Sequence, residues 1–300
     1  MKPPGSNRLF FALVAVGMCA PFHSMAQDAG KSVNSTEGTR YSLGNHVIEA
    51  SWSLDHRALS GLVIADKLHH RTLALPEPFA LLMKDGAIYT PENLDVASPP
   101  HCEALAAVES ASRYSDRLPG EQCSVALTDK TADLHVIWTV VLRDGSNYLR
   151  EFLTTTAKNQ DAPLFRVRLI DAQLPSAQVM GSVKGSPIVA DDMFLGFEHP
   201  LSDSKVTAGR AVATIDRDLP LKAGQSVTYS CVIGVTHTGQ LRRDFLTYIE
   251  RERAHPYRTF LHYNSWYDIG YFTPYTQEDA LNRINTFGSE LHEHFRQRAA

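Results

Sequence analysis

The sequence predicts a mainly β protein built around a large antiparallel β-sandwich. Short apolar stretches broken by turns run from residue 41 to about 236, and almost none has helical spacing. Two Asp-Gly turns, in KDGA (84–87) and RDGSNY (143–148), separate such stretches and are typical of hairpins. In LFRVRLI (164–170), apolar Phe165, Val167 and Leu169 alternate with arginines, which predicts a strand with one buried face.

The composition is that of an ordinary globular protein. The chain has 300 residues, of which 43% are hydrophobic and 21% charged, enough for one large or two medium domains. The net charge is −4 and no long basic run occurs. Because phosphate backbones are bound by basic surfaces, we expect no nucleic-acid partner.

The N-terminus has the pattern of a secretory signal peptide. Lys2 and Arg8 supply positive charge, residues 9–17 form an apolar run too short to span a bilayer, and a small-x-small triplet ends at residue 26. We therefore predict a signal peptide over 1–26, and a mature protein that is periplasmic or secreted with no membrane span after cleavage. Cys19 leaves a lipoprotein as the weaker alternative, since the residue before it is bulky.

The chain is predicted to divide into four further segments after cleavage. Residues 27–40 are polar and are expected to be flexible, and 41–238 form the sandwich. Residues 239–256 have helical spacing and are interpreted as a linker helix. Residues 257–300 follow as one aromatic strand and one helix, the latter starting at a capping-box pattern at Thr276. A single βα unit cannot bury its own faces, so this last segment is predicted to be the opening of an incomplete α/β domain. The apolar stripe of the linker helix comprises Leu241, Phe245, Tyr248 and Ile249.

Three cysteines remain in the mature chain. In an oxidising compartment Cys102 and Cys123, which flank a polar stretch, are the favoured pair, and three unpaired thiols are the alternative. Cys231 lies in an apolar strand pattern and is interpreted as a buried free thiol. The histidine clusters at 69–70 and 292–294 lack the spacing of a zinc pair, so no metal site and no cofactor are expected.

The candidate binding residues lie in HYNSWYD (262–268). In α/β barrels, sites form at the C-terminal ends of strands, and Asn264, Trp266 and Asp268 end the predicted aromatic strand. An aromatic ring suits the apolar face of a sugar, and amide and carboxylate groups suit its hydroxyls. The alternative is that these aromatics pack a domain junction.

The order of elements and several motifs resemble the N-terminal portion of α-galactosidase-like glycoside hydrolases, the family 36 type and its relatives. The resemblance spans about residues 41–298 and rests above all on FLHYNSWYDIGYF followed by a helix. It implies a galactose-mutarotase-like β-supersandwich, a linker helix and the first βα unit of a (β/α)8 barrel. It also implies that Trp266, Asp268 and Asn264 line a sugar pocket. The motifs that match include VIEASWSL, FALLMKDGAIY, RDGSNYLREFL and MFLGFEHP.

The resemblance assigns no catalytic residue in this chain. The family's two catalytic aspartates lie on later barrel strands, and the two carboxyl groups of a retaining glycosidase must face each other across the scissile bond. The first hypothesis is therefore an exported fragment of an enzyme acting on α-linked galactose or N-acetylgalactosamine, inactive alone. The alternative is a non-enzymatic carbohydrate-binding or surface-interaction sandwich. A lyase or epimerase using Glu198 and His199 is a weaker third, and the oligomeric state is left open.

Overall fold

A computed structural model describes residues 29–55, 58–131, 133–259, 262–292, 294 and 296. The predicted signal peptide, 1–26, lies outside these described residues.

The described chain is mainly antiparallel β, with two α-helices. The strands are β1 (Val33–Glu37), β2 (Arg40–Gly44), β3 (Ile48–Asp55), β4 (Ala58–Asp66), β5 (Arg71–Leu75), β6 (Ala80–Met83), β7 (Ile88–Tyr89), β8 (Asp95–Val96), β9 (His101–Leu105), β10 (Gly120–Thr128), β11 (Leu134–Arg143), β12 (Tyr148–Ala157), β13 (Leu164–Gln173), β14 (Gln178–Val179), β15 (Ile188–Ala190), β16 (Met193–Phe197), β17 (Asp203–Thr207), β18 (Arg210–Asp216) and β19 (Ser226–Val235). The α-helices are α1 (Leu241–Glu252) and α2 (Gln277–Thr286); 3-10 turns occur at Ser115–Arg117 and Ser265–Tyr267, and a π-helical stretch at Phe287–His292.

Three antiparallel sheets form the part of the chain up to β19. The first has the order β1-β2-β3-β4-β5, and the third has the order β17-β18-β13-β6-β7. The second has nine strands in the order β14-β15-β16-β19-β12-β11-β10-β8, with β9 also paired to β10. The predicted hairpins are present, because β6 pairs with β7 and β11 with β12 around the two Asp-Gly turns.

The core lies between the nine-stranded sheet and the other two sheets. Trp52 on β3 packs edge-on against Trp138 on β11, with ring centroids 5.3 Å apart. The third sheet covers another part of the same face, where the Cys231 thiol of β19 lies 3.9 Å from the carbonyl oxygen of Leu169 on β13. Cys231 is buried and free, and Cys102 is bonded to Cys123, so both cysteine predictions are confirmed.

The opposite face of the nine-stranded sheet, called here the outer face, is partly covered by α1. Phe245 and Tyr248 of the helix contact the ring of Phe194 on β16, with centroid distances of 5.2 and 5.6 Å. The four predicted stripe residues of α1 all belong to this cluster, which confirms the helical pattern. The helix therefore covers the end of the outer face where β16, β19 and the start of β12 lie side by side.

The turn between β11 and β12 is buried in its second half, at Ser146 and Asn147, and it holds several distant segments together. Asp144 accepts hydrogen bonds from the backbone and hydroxyl of Ser32, at 2.8 and 2.7 Å. The hydroxyl of Ser146 accepts one from Arg251 of α1 at 2.9 Å, and Asn147 exchanges two with the backbone of Val235. Ser146 is fully buried, so this turn is part of the interior although turns usually lie at the surface.

The prediction of a flexible segment over 27–40 does not hold for its second half. Val33–Glu37 forms β1 and pairs with β2 across a turn at Gly38, whose φ of +62° suits glycine. The polar side chains that indicated flexibility are compatible with an edge strand, because one face of such a strand remains in water.

The described residues from Tyr257 onwards form one compact unit, and those up to Pro256 form another. Its helix α2 begins with the predicted capping box, in which Thr276 and Asp279 bond each other's backbone N–H. The predicted barrel strand is wrong for the described residues 257–259 and 262–276, which contain a 3-10 turn and no strand. A parallel strand is stabilised by hydrogen bonds to neighbours on both sides, and this unit offers no such neighbour among its described residues.

Candidate functional site

The three predicted sugar-binding residues lie together in one tight turn of the C-terminal unit. Asn264 precedes the 3-10 turn Ser265–Tyr267, and its Oδ1 accepts a hydrogen bond from the Trp266 backbone N–H at 2.9 Å. Asp268 follows the turn, and its Oδ2 accepts from the Tyr263 hydroxyl at 2.7 Å and lies 3.0 Å from Nε of Arg283. These residues are therefore positioned by a 3-10 turn and not, as predicted, by the end of a strand.

This turn leaves a specific set of groups available to a ligand. The side chain of Trp266 is 43% exposed and is contacted edge-on by the rings of Tyr271 and Phe272, at 4.7 and 5.5 Å. The Nδ2 of Asn264 and the Oδ1 of Asp268 have no hydrogen-bond partner among the described residues. One supported aromatic ring, two amide donors and one carboxylate acceptor match the mixed apolar and hydroxyl surface of a sugar.

A second set of polar residues, which the sequence did not predict as a set, lies on the outer face beside α1. Arg150 on β12 donates three hydrogen bonds to Glu198 from two of its nitrogens, at 2.8 to 3.0 Å, and its third nitrogen donates one to Glu252 at 2.8 Å. Tyr248 donates to Glu198 at 2.7 Å and Tyr148 to Glu252 at 2.8 Å. This group is called here the Arg150 network. It joins the middle of the nine-stranded sheet to the end of α1.

The pKa shifts of the network follow from its burial and charge. Burial, together with the negative charge of Glu252, raises the pKa of Tyr148 well above its ordinary value. Burial and Glu198 do the same for Tyr248. Burial alone would lower the pKa of Arg150, but Glu198 and Glu252 outweigh it and raise that pKa. Arg150 therefore stays charged and both tyrosines stay protonated, so the network has the properties of a structural ion pair.

The lyase or epimerase hypothesis finds no support in the surroundings of Glu198 and His199. Both oxygens of Glu198 accept hydrogen bonds from Arg150 or Tyr248. The Nδ1 of His199 accepts from the Leu201 backbone N–H at 3.1 Å. The side chains of Glu198 and His199 are therefore both engaged in structural hydrogen bonds.

Next to the Arg150 network, the outer face contains a cleft of about 330 Å³. Its floor consists of side chains that alternate with core residues along β10, β11, β12 and β19. Its wall comes from β9, the following segment and the last residue of α1. The lining residues are Leu105, Arg113, Ser115, Asp116, Gln122, Thr139, Val141, Arg143, Tyr148, Arg150, Phe152, Thr154, Thr228 and Glu252. The alternating pattern of YLREFLTTTA could have placed Arg150, Phe152 and Thr154 on one face, but nothing in it indicates which segment forms the wall.

Glu151, the neighbour of Arg150 on β12, points into the core instead. It is 3% exposed, and its Oε2 accepts a hydrogen bond from the indole N–H of Trp138 at 3.0 Å. Its Oε1 has no hydrogen-bond partner among the described residues. Burial raises the pKa of Glu151 to about 7, against the smaller opposing effect of the Trp138 hydrogen bond.

Among the described residues, no group of three or more His, Cys, Asp and Glu side chains is placed to hold a metal ion. In the same part of the chain, none of the helices is both long enough and apolar enough to cross a membrane.

No protein-family model matches the sequence, and no curated protein matches it. Among solved structures, the chain is similar to the family 36 α-galactosidase AgaB of Geobacillus stearothermophilus, with 11% identity and a TM-score of 0.43 over 69% of this chain and 41% of that one. It is also similar to the galactosidase domain of an α-galactosidase-sucrose kinase, with 8% identity and a TM-score of 0.45 over 68% and 41%. The insertase YidC of Thermotoga maritima matches with 11% identity and a TM-score of 0.36 over 72% and 54%.

These likenesses cover only parts of the matched proteins. The chain spans about two fifths of the length of the two α-galactosidase chains. The matched proteins include enzymes and a membrane insertase.

The buried position of the Arg150 network predicts a large effect of Arg150→Ala on stability. The substitution would leave Glu198 and Glu252 buried without their cation, which costs about 3–5 kcal/mol in the free energy of unfolding. Arg166→Ala is the matched control, because Arg166 also binds a carboxylate through two nitrogens but its pair with Asp216 is exposed. We expect that control to lose less than about 1 kcal/mol in urea unfolding. Equal losses in the two variants would contradict the structural role of the network.

The raised pKa of Glu151 predicts a stability that falls with rising pH. The folded state holds the Glu151 proton up to about pH 7, whereas the unfolded state releases it near the ordinary glutamate pKa of 4.5. The free energy of unfolding should therefore decrease from about pH 5 to about pH 8, by on the order of 3 kcal/mol from this group. Urea unfolding at both pH values should show a smaller decrease for Glu151→Gln than for the wild type. The other titrating groups are common to both proteins, so parallel pH profiles of the free energy of unfolding would disprove the raised pKa of Glu151.

Proposed function

We propose that this chain is the sugar-binding N-terminal portion of an α-galactosidase-like glycoside hydrolase, with α-linked galactose or N-acetylgalactosamine glycans as its ligands. The observation that carries the proposal is the turn at 264–268, where the exposed Trp266 follows Asn264 and precedes Asp268 in the chain. Among the described residues, the Nδ2 of Asn264 and the Oδ1 of Asp268 have no hydrogen-bond partner. The resemblance of FLHYNSWYDIGYF to the family's first barrel segment supports the same assignment.

The activity proposed for these 300 residues is binding without hydrolysis. A retaining glycosidase places two carboxyl groups about 5–5.5 Å apart on either side of the scissile bond. The resemblance assigns neither of them to a residue of this sequence. The buried pair Glu198 and Glu252 does not fit that role, because Arg150 lies between them and binds both.

The Trp266 assignment predicts that Trp266→Ala weakens sugar binding at least tenfold. Stacking on an exposed aromatic ring contributes most of the apolar contact that the turn can offer a sugar. Isothermal titration of the purified protein with galactose, N-acetylgalactosamine and an α-galactosyl disaccharide measures this. Tyr257→Ala is the control, since Tyr257 is 80% exposed and lies outside the turn. A chain that binds none of these sugars, or that releases p-nitrophenol from an aryl α-galactoside, contradicts the proposal.

The proposal includes export to the periplasm or the medium. It is supported by the charged start, apolar run and small-x-small triplet of residues 1–26. The intact mass of the protein recovered from the native cells should correspond to a chain that begins at Gln27. A protein that retains residues 1–26, or one with a lipid on Cys19, would contradict cleavage at this position.

A further inference from the structure

We propose that the cleft on the outer face of the nine-stranded sheet is a second saccharide site, which takes a neutral sugar of one or two rings. Every residue that lines it belongs to the unit that ends at Pro256, and none belongs to the unit that contains the Trp266 turn. Its volume of about 330 Å³ lies at the lower end of the range for small-molecule pockets.

The floor of the cleft offers hydroxyl groups that are not fully used. The hydroxyls of the lining residues Thr154 and Thr228 lie 2.8 Å apart. The hydroxyl of the lining residue Thr139 lies 2.8 Å from that of Ser124, which is next to the cleft in β10 and does not line it. In each pair one hydroxyl donates to the other, so one O–H and several lone pairs remain for a ligand. Groups that can both donate and accept are suited to sugar hydroxyls, which have the same dual character.

The charges around the cleft are balanced, which favours a neutral ligand. Arg150 is neutralised by Glu198 and Glu252 in the Arg150 network. Arg143 lies 3.4 Å from Asp116, and Arg113 lies 3.9 Å from Glu252. A phosphate or carboxylate ligand would therefore find no uncompensated cation among the lining residues.

The cleft also has an apolar element beside the hydroxyls. The ring of Phe152 lies between Arg150 and Thr154 along β12, and the Arg150 guanidinium is 4.6 Å from its centroid. Phe152 and the half-buried Val141 supply carbon surface for the C–H groups of a sugar ring.

The wall of the cleft is fixed before any ligand arrives. The disulfide Cys102–Cys123 joins β9 to β10. Beyond β9, Ser115 donates a hydrogen bond to Glu252 at 3.1 Å, and Arg143 donates one to the Leu118 carbonyl at 2.7 Å. A preformed wall lowers the ordering cost of binding.

The test uses the full protein with Trp266→Ala as background, so that the site in the turn does not contribute. Titration with galactose, an α-galactosyl disaccharide and galacturonate should still detect binding of the neutral sugars. Adding Thr139→Val and Thr154→Val should weaken it about tenfold, because two hydroxyl contacts are lost. Valine is β-branched like threonine and keeps the strand preference.

Thr156→Val is the matched control on the same strand and face. Thr156 pairs with Ser226 at 2.7 Å in the same way as Thr154 pairs with Thr228, but it does not line the cleft. Three results would each overturn the proposal. Thr156→Val could weaken binding as much as the other valine variants do, galacturonate could bind more tightly than galactose, or no saccharide could bind in the Trp266→Ala background. If Trp266→Ala binds saccharide as tightly as the wild type, the result counts against the role of Trp266. The cleft remains supported in that case if the valine variants weaken saccharide binding.

Discussion

The burial of one arginine between two glutamates is the constraint on which the outer face depends. Arg150 is the third residue of β12, which lies in the middle of the nine-stranded sheet, so it is fixed by the strands on both sides. A guanidinium at 13% exposure requires charged partners, which are Glu198, directly after β16, and Glu252, the last residue of α1. The position of α1 on the sheet is thereby fixed by charge at its last turn as well as by its aromatic stripe.

The burial of Arg150 also affects the cleft. Glu252 accepts hydrogen bonds from Arg150, Tyr148 and Ser115, and Ser115 belongs to the segment that forms the wall. The floor and the wall of the cleft are therefore connected through one carboxylate. Glu151, one residue along, faces the core, where its side chain accepts a hydrogen bond from the indole N–H of Trp138 and no ion pair is found among the described residues. Arg150 and Glu151 therefore have different electrostatic surroundings although they are neighbours on β12.

The local patterns in the sequence were sufficient to predict the sandwich, the hairpins, the stripe of α1 and the capping box of α2, because each depends on neighbours within a few residues. The predicted alternation in LFRVRLI fails at Phe165, which is only half-buried next to a register shift between Leu164 and Arg166. Bulges of this kind depend on the partner strand and leave little trace in one segment alone.

The candidate sites, too, were predictable where they depend on contiguous residues and unpredictable where they depend on distant ones. HYNSWYD could be recognised because its residues are contiguous. Its conformation was predicted wrongly, since a strand requires partners that this segment does not have within the described part of the chain. The Arg150 network and the cleft join residues separated by about a hundred positions, as with Arg150 and Glu252. The periodicity of a single sequence does not indicate contacts between such distant residues.

The buried turn between β11 and β12 has a consequence for how such a protein can change in evolution. Hairpin turns are ordinarily the places where insertions and deletions accumulate, because their backbone is solvated and makes few contacts. Here Asp144, Ser146 and Asn147 bond the N-terminal segment, α1 and β19 at once. A change in the length of this turn would displace all three segments together, so among related chains its length should be constant even where the identity of the surrounding strands has drifted.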